Sequence, residues 1–211
     1  MSNILEQMQK DLYDGKVDEV GAATQKALDE GLSAQEVLND GLIAGMDVVG
    51  RDFKAGDLFI PEVLISARAM HAGLDVLRPL LAGSGAPMMG KMVIGTVSGD
   101  LHDIGKNLVG MMLEGAGFEI VDLGTDVSSE KFIEAVRAEG ADLLGLSALL
   151  TTTMPGMKTT IEALTEAGLR DNVKVIIGGA PVTAGFAEEI GADAYAPDAA
   201  SAVDTARAFI A

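Results

Sequence analysis

Met92-Val93-Ile94-Gly95-Thr96-Val97, followed by Gly99-Asp100-Leu101-His102-Asp103-Ile104-Gly105-Lys106-Asn107, is the stretch on which the fold turns. The first six residues are uncharged and do not alternate, as expected of a strand buried on both faces, and such strands belong to parallel sheets. The polar run after them opens a helix-like segment. Open α/β sheets bind their ligands at the edge where strands end and helices begin. That edge here carries His102, one of only two histidines in the chain, with Asp100 two residues before it. A carboxylate beside an imidazole can accept its second N–H and fix the tautomer, which is how a metal-ligating histidine is held.

Downstream the pattern repeats. Strand-like runs at 118–123, 142–149, 174–178 and 193–197 alternate with helical stretches near 104–116, 129–139, 155–168, 183–190 and 199–210. Five such units predict an α/β domain with a doubly wound, five-stranded parallel sheet. Upstream, residues 1–82 read as helices only. Ser2 is placed to cap a helix to about Asp14, and a second runs from Val17 to Glu30. Ser33-Ala34-Gln35-Glu36 is a capping box that opens a third, to about Phe53. Pro61 suits the first turn of a fourth, reaching about Leu80, with Leu64, Ala67, Ala69, Met70, Leu74 and Leu77 as its buried stripe. Short connections predict a four-helix bundle. Gly83-Ser84-Gly85-Ala86-Pro87 has linker composition. The expected boundaries are 1–82, a linker at 83–90, and 91–211.

Composition narrows the function. The 211 residues carry a net charge of −17, with both halves acidic. This disfavours nucleic acid and anionic membrane as partners, because phosphate binding depends on Lys and Arg. There is no cysteine, so disulfides, thiolate zinc and cysteine-held clusters are excluded. No long apolar run and no basic leader is visible, and the expected location is the cytoplasm.

The glycine-rich stretch is not a phosphate loop. Gly99 and Gly105 are too far apart for Walker A, Asn107 stands where a hydroxyl is needed, and Gly-x-Gly-x-x-Gly is absent. His71, mid-helix, reads as structural or solvent-facing. Two further segments end strands with special residues: Ser147-Ala148-Leu149-Leu150-Thr151-Thr152-Thr153 and Gly178-Gly179-Ala180-Pro181. Thr153 could merely cap the following helix, and the paired glycines could merely make a turn. Together the three segments mark a groove along one sheet edge, where Gly178 and Gly179 would bare the backbone.

The three segments resemble the cobalamin-binding domain family, whose pattern is Asp-x-His-x-x-Gly, a spacer, Ser-x-Leu, a second spacer and Gly-Gly. Here 41 residues separate Gly105 from Ser147, and 28 separate Leu149 from Gly178, as in that family. Phe53-Lys-Ala-Gly-Asp-Leu-Phe-Ile-Pro-Glu62 is similar to the cap module that precedes this domain in methionine synthase and in small corrinoid proteins of methyltransferase systems. The resemblance covers nearly the whole chain and implies a flavodoxin-like sheet under a helical cap. It also implies that cobalamin is the cofactor, cycling between methylcobalamin and cob(I)alamin.

The resemblance assigns residues as well. His102 replaces the benzimidazole as the lower ligand of cobalt, within the loop Asp100, Leu101, His102, Asp103, Ile104, Gly105. Asp100 hydrogen-bonds the imidazole's far nitrogen. Thr153 stands where methionine synthase has a serine that continues this relay. Ser147 and Thr151 contact the displaced benzimidazole and Leu149 walls its channel. Gly178 and Gly179 pack against the nucleotide tail, with Tyr195 and Ala199 near its far end. Phe53 and Ile60 cover the upper face, Ile60 replacing the family's frequent Leu. The implied partners are a substrate-specific methyltransferase, a second methyltransferase delivering to a thiol or tetrahydropterin, and a reductive activator protein. Alone, the chain is expected to bind cofactor and turn nothing over. The linker is expected to act as a hinge when a partner docks. The alternatives are a small subunit of an adenosylcobalamin-dependent mutase, a cobalamin sensor, or a cofactor-free receiver-like domain.

Overall fold

The computed structural model describes residues 3–84 and 89–211. The expected Ser2 cap and the Gly85–Pro87 part of the linker lie outside the described residues. The chain forms two compact units, residues 1–88 with 114–117, and the remainder.

The first unit is helical. α1 (Asn3–Tyr13) buries Leu5, Met8 and Leu12, and α2 (Val17–Asp29) buries Val20, Thr24 and Ala27. Their three- and four-residue spacing makes one apolar stripe on each helix. Ser33 and Glu36 form the expected capping box, the Ser33 hydroxyl accepting from the Glu36 amide and Glu36 accepting from the Ser33 amide. The helix that follows is not uniform. α3 (Ala34–Glu36) passes into a π-helical segment, Val37–Ile43, and then into α4 (Ala44–Ala55). Gly41 and Gly45 press on α1: a Cβ on Gly41 would lie 2.7 Å from Met8 Sδ, and one on Gly45 would lie 3.3 Å from Gln9 Cα. The Asp40 carbonyl, inside the widened turn, accepts from the Gln9 side-chain amide at 2.6 Å.

α5 (Ile60–Ser84) runs four residues beyond the expected end, so Gly83 and Ser84 are helix and not linker. Its buried stripe is Val63, Ala67, Met70, Leu74 and Leu77, together with Ala69. Leu64 is only half-buried. Val63 takes its place because only that residue keeps the alternating four- and three-residue rhythm. His71 Nε2 pairs with Glu114 at 3.2 Å, a partner far away in sequence.

The second unit is a five-stranded sheet: β1 (Lys91–Thr96), β2 (Glu119–Asp122), β3 (Leu143–Ser147), β4 (Lys174–Gly178) and β5 (Ala194–Tyr195). All neighbours pair in parallel, in the order β2-β1-β3-β4-β5. The helices between them are α6 (Ile104–Gly115), α7 (Ser129–Glu139), α8 (Pro155–Glu166), α9 (Ala184–Ile190) and α10 (Ala199–Ile210). Val93, Leu144, Val175 and Ile177 lie fully buried beneath Phe132, Met157 and Leu164. This strand order is the flavodoxin-like one, in which the direction of winding reverses between β1 and β3 and opens a crevice there. The register places Thr96, Ser147 and Gly178 in one row. The three segments singled out in the sequence therefore leave the sheet side by side. The third and fifth strands are shorter than expected: Ala148 and Leu149 already belong to the loop, and β5 has two residues.

Candidate functional site

The loop after β1 is built around one carboxylate. Asp100 is fully buried (0 % exposed) and accepts five hydrogen bonds. Its Oδ1 faces the His102 amide at 3.1 Å and the His102 ring Nδ1 at 2.7 Å. Its Oδ2 accepts from the Leu149 amide at 2.8 Å, the Leu150 amide at 3.3 Å and the Thr153 hydroxyl at 2.6 Å. One side chain thus ties the loop after β1 to the loop after β3, across the point where the winding reverses.

Burial alone would push the Asp100 carboxyl up. The Thr153 hydroxyl, the Leu149 amide and the His102 ring and amide outweigh it and hold the group far below the usual carboxylate range. An ionised carboxylate can only accept, so the proton between Asp100 and His102 belongs to Nδ1. Nε2 is then the imidazole's remaining donor of electrons, on a side chain that is 50 % exposed. The Thr153 hydroxyl has a single proton and two acceptors, Asp100 Oδ2 at 2.6 Å and the Leu150 carbonyl at 2.9 Å. The shorter, charged acceptor takes it. The residue at the N-cap of α8 is Met154, with no side-chain cap, so the capping role open to Thr153 from its place in sequence is not the one it fills.

Four large apolar side chains are exposed on the loops that meet at Asp100. Leu101 and Ile104 are each 73 % exposed, and Leu149 and Leu150 each 42 %. Among the described residues of this unit, the other exposed large hydrophobic is Met89, at its beginning. Exposed apolar patches of this kind mark ligand sites. Leu150 was not among the candidates read from the sequence. Its amide on Asp100 depends on a fold-back of the β3–α8 loop that no spacing announces.

The other candidates are spread along the same edge. Asp103 is exposed, and its carboxylate accepts from the Asn107 side-chain amide. Nothing lies within 4 Å of the place where a Gly105 Cβ would stand. Ser147 is half-buried and Thr151 exposed. Of the two glycines, Gly179 is demanded by the chain itself, while Gly178 sits tightly against a carbonyl. At φ 132°, a Cβ on Gly179 would stand 1.8 Å from the Ala148 carbonyl oxygen, and one on Gly178 would stand 3.1 Å from that of Ala196. Tyr195 is half-buried against the core at the end of β5, and Ala199 is buried at the start of α10.

Lys106 lies in the first turn of α6. It is buried, and its ammonium reaches Asp122 Oδ2 at 2.5 Å and Asn107 Oδ1 at 2.6 Å. Within the first unit, Phe53 is half-buried on α4 and Ile60 is 42 % exposed at the start of α5. Phe59, more exposed still, joins them as a residue the candidate set lacked. The turn between the helices is shaped by Asp52, whose carbonyl accepts from the Asp57 and Leu58 amides and whose carboxylate accepts from the Tyr13 hydroxyl at 3.1 Å.

A family model described as a B12 binding domain matches residues 90–204, and a second model of that description matches residues 4–78. The chain belongs to the B12-binding corrinoid proteins of methyltransferase systems. It is 50 % identical over 197 residues to a dimethylamine corrinoid protein of Methanosarcina acetivorans, an alignment covering 93 % of this chain and 92 % of that one. It is 44 % identical over 211 residues to a corrinoid protein of Desulfitobacterium hafniense, covering 99 % and 98 %. Among solved structures, the methanol:cobalamin methyltransferase complex of Methanosarcina barkeri matches with a TM-score of 0.91 at 33 % identity, covering 99 % of this chain and 80 % of that one. Cobalamin is accordingly the cofactor of this corrinoid protein. The site fits it: an imidazole with one nitrogen tied down and one left over, exposed apolar side chains on the loops that meet at Asp100, and a run of loops along the same sheet edge. Among the described residues, no helix is long and apolar enough to cross a membrane.

Proposed function

We propose that this corrinoid protein carries a methyl group between two methyltransferases, holding cobalamin with His102 Nε2 in the position the cofactor's own benzimidazole would otherwise occupy. The observation that carries the reading is the Asp100 carboxylate, which is buried, ionised and bonded to Nδ1, and so leaves Nε2 as the ligating nitrogen. Bound cobalamin would supply a cobalt centre able to accept and release a methyl group; the bond chemistry is the cofactor's, and the protein sets ligation and access.

Asp100 holds the Nδ1 proton and with it the ring's orientation. Thr153 donates to the other carboxylate oxygen and keeps Asp100 in place. Leu101, Ile104, Leu149 and Leu150 offer exposed apolar surface near the imidazole for the cofactor to cover. Ser147 and Thr151 supply hydroxyls for the displaced base, and Gly178, Gly179, Tyr195 and Ala199 line the way for the tail. Phe53 and Ile60 are assigned to the cofactor's upper face on the resemblance of their segment to the cap module.

The partners we assign are a substrate:corrinoid methyltransferase, a second methyltransferase that delivers to a thiol or tetrahydropterin, and a reductive activator. Among donors, a methylated amine is favoured, because several relatives that match nearly the whole chain are named as dimethylamine corrinoid proteins. The test is to reconstitute the wild type and His102→Ala with hydroxocobalamin and compare visible spectra and methyl transfer. The variant should show an altered spectrum and slower transfer. Identical spectra would rule out ligation by this histidine.

A further inference from the structure

Among the described residues, Asp126 alone combines a side chain with a left-handed backbone, at φ 53°. Such a conformation is uncommon outside glycine, and where it persists the surroundings impose it, often beside a functional site. The surroundings here are the loop that carries the imidazole. Asp126 Oδ1 accepts from the Gly99 amide at 2.7 Å and from the Ser98 hydroxyl at 3.2 Å. Its own amide donates to the Asp100 carbonyl at 3.0 Å. One exposed residue therefore bonds the backbone of two successive residues, Gly99 and Asp100, just upstream of His102.

The segment bearing Asp126 is itself fastened. Val127 bridges to Val97, and its amide donates to the Thr96 carbonyl. Gly124 accepts from the Thr96 amide, and its own amide donates to Asp122 Oδ1. The second oxygen of Asp122 takes the buried Lys106 ammonium from α6. The helix that starts after His102 thus returns, through Asp122 and Asp126, to the residues that come before it. On the far side, the Thr96 hydroxyl donates to the His102 carbonyl at 2.9 Å.

We infer that Asp126 is a positioning residue for cobalt ligation: its left-handed clamp on Gly99 and Asp100 sets where the His102 ring stands. The inference rests on the reading of His102 as the ligand. Nothing in it requires Asp126 to touch the cofactor. Asp126 differs from a plain turn residue in bonding the ligand loop with both its amide and its carboxylate.

The test uses the full chain labelled with ¹⁵N-histidine and loaded with cob(II)alamin, read by electron paramagnetic resonance. Coordination by a ¹⁵N histidine splits each cobalt line into a doublet, whereas the cofactor's own ¹⁴N base gives a triplet. In Asp126→Ala the equilibrium between histidine-on and histidine-off forms should fall about 10-fold, the lower end for groups that support a metal ligand. Asp126→Asn keeps both the acceptor oxygen and the tolerance of φ > 0, and should retain the doublet. Asp126→Gly relieves the backbone but deletes the carboxylate, so it should weaken the doublet as alanine does. This separates the clamp from mere strain and remains readable if the alanine variant folds poorly. A wild-type doublet that survives undiminished in the glycine variant overturns this inference alone. A wild type that shows only the triplet overturns the histidine reading and the inference with it.

Discussion

Two aspartates, Asp100 fully buried and Asp193 partly buried, stand at opposite ends of the same sheet, and they end differently. Asp193, just before β5, accepts from the Val175 amide at 2.8 Å and Arg170 at 2.7 Å, with Lys174 at 3.3 Å. Burial pushes its carboxyl up, but the Val175 amide and the two cations pull it below its ordinary value. In that cluster the carboxylate's charge is matched directly by two cations, Arg170 and Lys174. Asp100 is bonded as fully, yet its partners are a hydroxyl, backbone amides and an imidazole. The imidazole passes the interaction on, to a nitrogen on a half-exposed ring. A carboxylate matched by cations fastens two strands; a buried one matched by an imidazole builds a ligand.

The comparison breaks most visibly under truncation. Asp100→Ala leaves the His102, Leu149 and Leu150 amides without that acceptor, and Asp193→Ala leaves the Val175 amide and two cations without theirs; each should lower the unfolding free energy in urea by about 3 kcal/mol. Only Asp100→Ala should also change the visible spectrum of the bound corrin. A spectral change in both would mean that the sheet's overall stability, and not the Asp100–His102 pair, governs ligation.

A smaller effect is expected at the relay's third member. Thr153→Val removes one donor to an ionised group and should cost about 2 kcal/mol. Thr153→Ser keeps the hydroxyl and should stay within about 0.5 kcal/mol in the same urea titration. A larger loss in Thr153→Ser than in Thr153→Val would show that the methyl group's packing, and not the hydroxyl, is what matters.

The smallest effect concerns pH. The folded carboxyl of Asp193 lies below its unfolded value, so its contribution is complete above about pH 4 and is lost as pH falls below that. The stability gap between wild type and Asp193→Asn should therefore be about 1 kcal/mol near neutrality and shrink on acidification. A gap that widens in acid would contradict the assignment of cause.

Much of this was legible in the residues. The non-alternating runs announced a parallel sheet, and the Asp-x-His spacing after β1 announced an imidazole at its carboxyl edge. The level register of Thr96, Ser147 and Gly178 was not legible, because pairing is set between strands and leaves no mark within any one of them. Thr153 offered two readings from sequence, and only the fold-back of its loop chose between them. Gly178 and Gly179 read as bare backbone for a ligand; the structure adds that the Ala148 carbonyl excludes a Cβ at Gly179 and the Ala196 carbonyl crowds one at Gly178. Asp126 left a faint signal, an Asp two residues after Gly124 at a strand's end, in a position where left-handed backbone is tolerated. The π-helical segment left none, and neither did the pairing of His71 with Glu114, a long-range contact no local pattern encodes.

The account depends most on where the nitrogen of His102 goes. A crystal structure of the protein grown with cobalamin answers this directly: Nε2 of His102 should stand at bonding distance beneath the cobalt, with the benzimidazole withdrawn along the β1–β3 edge. The benzimidazole still bound to the metal, with the imidazole turned away, would contradict it.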